Sequence, residues 1–248
     1  MKKALFILFF VSVYALHAQI LNIEAYRIKT DTLGWAGKIA LNFSLNKNTI
    51  SLMNIGNQTH IQYKTSKTLT LLLGQYNLLV SDKNNLIDKS VLHLRYNYYF
   101  KPRVIGEWFV QGQRNAVSKI EFRGLAGMGL RLKLSKNNHY KYYLGTTVMF
   151  EHEETTLGST QELWRWSNYF SFSILPNKHI SLVSTTYLQP AFSNFSDYRI
   201  ASQNTLYFIL TKHLSFKTAF NYTFDSTPVM NVPKTQYNLI SGIVYAFN

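Results

Sequence analysis

Apolar and polar side chains alternate one by one through segment after segment of this chain, and helical periodicity recurs nowhere. In "VLHLRYNYYF", Leu92, Leu94, Tyr96, Tyr98 and Phe100 share one parity, while His93, Arg95, Asn97 and Tyr99 take the other. "WAGKIALNFSL" sets Trp35, Gly37, Ile39, Leu41, Phe43 and Leu45 against Ala36, Lys38, Ala40, Asn42 and Ser44. "FRGLAGMGLRLKL" and "LSFKTAFNYTF" repeat the pattern, with Arg123, Arg131 and Lys133 on one wet face and Lys217 and Asn221 on another. Each run is about eleven residues, the length of a tilted strand crossing a hydrocarbon layer. The spacing predicts twelve strands, over 35–46, 52–63, 68–80, 90–100, 104–114, 121–135, 139–151, 163–175, 179–189, 198–210, 213–225 and 235–247. The third and ninth alternate poorly, which leaves ten as the alternative count.

The links carry a second period. After even-numbered segments come "KTSK", "KPR", "KNN", "PNK" and "TK". After odd-numbered ones come mostly longer stretches, "SDKNNLIDK", "RNAVSK", "HEETTLGSTQE", "PAFSNFSD" and "DSTPVMNVP". Tight turns on one side and loops on the other are how outer-membrane barrels are built. Taking "KPR" as a three-residue turn pairs Phe100 with Val104, Arg95 with Phe109 and Asn97 with Glu107, so the wet faces coincide. A one-residue slip would turn Arg95 toward lipid, at about 2–4 kcal/mol near the midplane. Backbone groups in lipid must be satisfied within the protein, so such a sheet must close on itself. Aromatics fall near the strand ends, Trp35, Tyr63, Tyr98, Phe100, Tyr140 and Tyr245 at the periplasmic rim and Phe150, Trp164, Trp166 and Phe224 at the outer one. Such rings favour the headgroup region.

Composition agrees with a membrane barrel. Aromatics are 15% of residues and charged residues also 15%, the latter well under the roughly 25% of soluble domains. "MKKALFILFFVSVYALHAQ" reads as a secretory signal over 1–18, basic and then apolar, too short to span. Segment 19–34 is expected in the periplasm or folded inside as a plug, with the barrel over 35–248. No cysteine is present, which excludes disulfides, thiolate metal sites and a lipoprotein anchor. The net charge of +14 would suit nucleic acid, but an exported chain points instead to anionic lipid or solutes. No cofactor is implied. A soluble periplasmic β-protein binding an acidic ligand is the alternative, and it would need its apolar faces turned inward.

The end, "YNLISGIVYAFN", is similar to the C-terminal assembly signal of outer-membrane barrels, with Gly242, Tyr245 and Phe247 at its glycine and hydrophobic positions. It departs at Ile240, where a polar residue is usual, and at Asn248, which follows the expected terminal aromatic. "GWAGKIALNFSL", "HIQYK", "LHLRYNY", "FRGLAGMGLRLKL", "YLGTTVMFEHEE", "SDYRI" and "PKTQYNL" resemble the YdiY-like family, whose members are called salt-induced outer-membrane proteins (domain of unknown function 481). The resemblance covers nearly all of the chain after the leader. It implies a barrel in the outer membrane of a Gram-negative bacterium, and it carries over no functional residue. The expected partners are outer-membrane lipid and lipopolysaccharide, and the barrel-assembly machinery through the last strand.

Chemistry is sparse. "EHEE" places His152 among Glu151, Glu153 and Glu154 at the outer rim. There it could serve a lipid-modifying or proteolytic enzyme or bind a divalent cation, but a hydrated acidic loop is the plainer reading. Gly124, Gly127 and Gly129 are no phosphate loop, because no helix follows them; small residues where a barrel bends explain them. The informative group is the basic interior set, Lys38, Arg95, Arg123, Arg131, Lys133, Lys141, Arg199 and Lys217, against Glu107 and Glu151. It suits either ion pairing in a filled lumen or a narrow anion-biased passage, and the excess of bases favours the passage. The expected role is therefore passive, a small-solute pore or a structural envelope protein.

Overall fold

The computed structural model describes residues 33–47, 51–81, 85–135 and 139–247, with the backbone alone for 44–47, 51–52, 81 and 85–88. The leader 1–18, most of segment 19–34 and the link 136–138 lie outside the described residues. Among the described residues twelve strands form: β1 (Gly34–Lys47), β2 (Ser51–Lys64), β3 (Thr68–Ser81), β4 (Asn85–Lys101), β5 (Val104–Asn115), β6 (Ile120–Lys133), β7 (Tyr140–Thr155), β8 (Thr160–Asn177), β9 (Ile180–Pro190), β10 (Tyr198–Ile209), β11 (Leu214–Asp225) and β12 (Thr235–Phe247). Each bonds to its neighbours in chain order and β1 bonds to β12, closing an antiparallel barrel. Closure removes the sheet edges that lipid could not satisfy.

The register between β4 and β5 runs as the wet faces require, with Arg95 opposite Phe109 and Asn97 opposite Glu107. Its last step differs. Lys101, not Phe100, pairs with Val104, after a shift between Tyr99 and Lys101. The turn closes on Pro102 and Arg103, and the extra residue is absorbed as a bulge at Phe100. The Phe100 and Trp108 rings lie over Gly106, filling the space a side chain there would take.

Three strands run further than their periodicity announces. β4 starts at Asn85, while β7 and β8 continue to Thr155 and from Thr160, so most of "HEETTLGSTQE" is hairpin rather than loop. Between β5 and β6, Ala116–Ser118 make one turn of 3₁₀ helix capped by Asn115, and Lys119 closes it with φ of 56°. Asparagine caps such a turn because its side-chain oxygen accepts the free N–H of Ser118.

Along most strands the apolar parity faces outward. Leu92, Leu94, Val110, Met128, Leu130 and Ile243 are 44–62% exposed, and aromatic pairs flank this belt. Trp35 meets Tyr63 at 4.9 Å and Tyr98 meets Phe100 at 5.2 Å near one rim, while Phe150 meets Trp164 at 5.4 Å near the other. A soluble barrel would bury this parity, so the belt marks a wall made for hydrocarbon. Polar side chains that do face outward are paired sideways. Thr146 donates to Asn168 at 2.8 Å, Ser184 to Asn204 at 2.7 Å, and Thr186 meets Ser202 at 2.9 Å. Arginine at position 94 is expected to cost about 2–4 kcal/mol relative to leucine in vesicle-bound folding titrations. Serine at the same place should cost far less.

Candidate functional site: the barrel interior

Twelve strands enclose a space between a side-chain-filled core and an open channel, so interior side chains decide which it is. Here they fill it. Leu69, Leu71 and Leu73 of β3 and Val91 of β4 pack with Val183 of β9, and Tyr99 and Tyr207 lie against them. β3 and β9 stand on opposite walls of the ring, so this apolar contact spans the lumen. β3 alternates poorly for this reason: its inward leucines sit beside the outward Leu72.

Polar contacts also bridge the interior. Glu107 is fully buried on β5 and is reached by Arg95 at 3.3 Å, Arg131 at 3.7 Å and the Tyr169 hydroxyl at 2.5 Å. The Arg131 guanidinium also lies 3.6 Å over the Tyr143 ring. Gly145 makes the room for Tyr169, because a β-carbon there would run into the phenol ring. Gly127 likewise admits Phe109 and Met149, so in β6 small residues accommodate the filling as well as the bend.

A second network holds the half that bears the longer links. Arg199 on β10 donates to Glu151 at 2.6 Å, to Glu153 at 3.2 Å and to Asp225 at 2.8 Å. Arg165 on β8 donates to Glu151 at 3.1 Å and to Asp197 at 3.0 Å, and Arg123 pairs with Glu153. Three cations thus meet four acids. Lys38 reaches the Tyr207 hydroxyl at 3.4 Å, and Lys217 reaches Gln58 at 2.6 Å. Lys133 and Lys141 are half-buried on the inward parity near the short-turn end.

All eight expected basic residues and both acids therefore lie on inward parities. The reading missed Lys89, Arg165, Glu153, Asp197 and Asp225. Parity alone could have found Arg165, which lies between the outward Trp164 and Trp166. Glu153 was hidden by reading its strand as loop, and Asp197 sits in a true loop. With all of these counted, ten bases face five acids, so the excess that favoured a passage falls only from six to five.

The "EHEE" cluster is split by the pleat. Glu151 and Glu153 point inward, while His152 points outward with its ring nitrogens 3.0 Å from Glu162 and 3.0 Å from Glu154. Among the described residues no group of three or more His, Asp or Glu side chains assembles to hold a metal. Of the residues expected to form an assembly signal, Tyr245 and Phe247 face outward at the short-turn rim, with the Phe247 ring over Gly37, and Gly242 faces inward against Asn42.

A closed antiparallel barrel with an outward apolar belt and short turns at one end has the architecture of outer-membrane β-barrels. Solved structures agree at the level of fold. The NanC porin aligns with a TM-score of 0.54 at 7% identity, over 85% of this chain and 100% of that one. The COG4313 outer-membrane channel from Pseudomonas putida F1 aligns with a TM-score of 0.55 at 10% identity, over 92% and 100%. The comparison with curated proteins gives no match. The chain belongs to the DUF481 family, described as a protein of unknown function, whose model matches residues 35–247.

Proposed function

We propose that the protein is a barrel of the Gram-negative outer membrane whose axial lumen is closed, serving the envelope structurally rather than as an anion-biased pore. One observation carries this reading: apolar side chains from opposite walls meet, leucines of β3 against Val183, with Glu107 bridged to Tyr169 beside them. Outer-membrane placement is supported by the outward belt, by the aromatic rims and by the fold of the aligned channels. β12 is the strand offered to the assembly machinery, with Tyr245 and Phe247 outward.

The pore is the second reading, because the two aligned structures are named as a porin and a channel and the lumen retains Lys38, Lys89 and Lys217. Those lysines would bias an opened lumen toward anions. Planar-bilayer recordings of the full-length protein separate the two. The closed reading expects bilayers that stay silent, and sustained ohmic steps with an anion-side reversal potential would replace it with the pore.

A further inference from the structure

Closure is incomplete along one seam. β1 pairs with β2 along its whole length, from Gly34/Lys64 to Lys47/Ser51. β12 pairs with β11 from Leu214/Tyr245 up to Phe224/Thr235. Between β1 and β12, however, pairing runs only from Gly37/Phe247 to Leu41/Ile243. The same register carried upward would set Asn42 opposite Gly242 and Phe43 opposite Ser241, and among the described residues neither pair forms. The strands part at the Asn42 side chain, which lies against the bare face of Gly242.

The parting lies at hydrocarbon depth. Its outward flanks are Leu41, Phe43, Leu239 and Ile243, each 59–69% exposed, and Tyr237 packs on Phe220 above them at 6.3 Å. Backbone N–H and C=O groups left without partners there cost several kcal/mol each, and acyl tails offer nothing to bond. Inside, the Oδ1 atoms of Asn42 and Asn54 are buried and, among the described residues, accept no hydrogen bond. Both are acceptors awaiting a donor. Since β1 and β12 are joined below and parted above, the gap is entered from the outer half of the membrane.

We propose that the β1–β12 seam is a lateral portal that admits an outer-leaflet amphiphile whose acyl chains carry hydroxyl or amide donors, these donors meeting Asn42, Asn54 and the free strand edges. Only the donor-bearing part of each chain enters, and the rest remains in the hydrocarbon outside. A polypeptide strand is the rival occupant of such edges. It fits less well, because a gap pinned shut at mid-depth offers no through-going edge and a strand does not account for the inward acceptors. The inference rests on outer-membrane placement but not on the closed axial lumen.

The test uses the full-length protein in vesicles of lipopolysaccharide and phospholipid, with a photoreactive benzoylphenylalanine placed at one position at a time. Lipopolysaccharide adducts are expected at Asn42 and at Asn54, and none at inward-facing Thr147 on β7 across the barrel. Leu92, outside on β4, reports membrane placement alone: an adduct is expected there, and its loss would sink the outer-membrane reading instead. The chain has no cysteine, so Phe43→Cys with Ser241→Cys introduces a single disulfide to lock the seam. Locking should abolish the adducts at Asn42 and Asn54 and spare the one at Leu92. Amide hydrogen exchange is the second readout, with 236–242 of β12 expected to exchange faster than β11. Missing adducts at Asn42 and Asn54, adducts that persist after locking, adducts to protein instead of lipid, or equal protection of β12 and β11 would each overturn the portal.

Discussion

Glu107→Ala is expected to cost the folded barrel about 3–5 kcal/mol, the penalty of leaving buried charge without its partner. Glu107 is fully buried and is the shared acceptor for Arg95, Arg131 and Tyr169. Truncation would take the shared carboxylate from two guanidiniums that are themselves 3% and 0% exposed and remove the brace that ties β5 to β8. Denaturant unfolding in vesicles, followed by tryptophan fluorescence, measures the loss. Glu107→Gln keeps the oxygen that Tyr169 and Arg95 use but gives up the charge, so its cost should fall between wild type and alanine. An alanine variant as stable as wild type would mean that water already solvates this site.

The second large effect is a gain of current. Replacing Leu71, Leu73 and Val183 together with alanine removes the apolar contact between opposite walls. Each leucine truncation carries a stability penalty of about 2–5 kcal/mol when the space cannot collapse. A barrel wall held by backbone pairing collapses poorly, so water should occupy the vacated core. Conductance is then expected where the wild type shows none, with selectivity for anions set by Lys38 and Lys217. Leu73→Ala alone and Val183→Ala alone should give smaller or flickering currents, which keeps the test readable if the triple variant folds poorly. Silence from all three would place the block elsewhere, most plainly in the Arg123–Arg165–Arg199 network.

Strand positions were legible because lipid and interior impose opposite demands on alternate residues, and β1, β4 and β11 obey both. The signal faded where the interior itself turned apolar: Leu69, Leu71 and Leu73 point inward while Leu72 points outward, so β3 looks uniformly greasy. The inward parity of Arg95 and Glu107 was readable from one short turn, since antiparallel pairing carries register many residues from its anchor. Their state within the barrel was not. Whether inward side chains line a channel or fill it depends on contacts such as β3 to β9 and β5 to β8, which no local spacing encodes. Asp197 shows the same limit from another side, because loops have no period to place a carboxylate.

Arg199 also bears on how the barrel comes to be assembled. It lies 48 residues beyond Glu151 and 46 beyond Glu153, and Asp225 follows a further 26 later. Until β10 swings into place, two neighbouring carboxylates on β7 must be hydrated or share Arg123 and Arg165. A half-wound sheet in which they stay hydrated would carry bound water into the bilayer. Insertion becomes favourable only as the final strands arrive, which couples entry into lipid to completion of the ring.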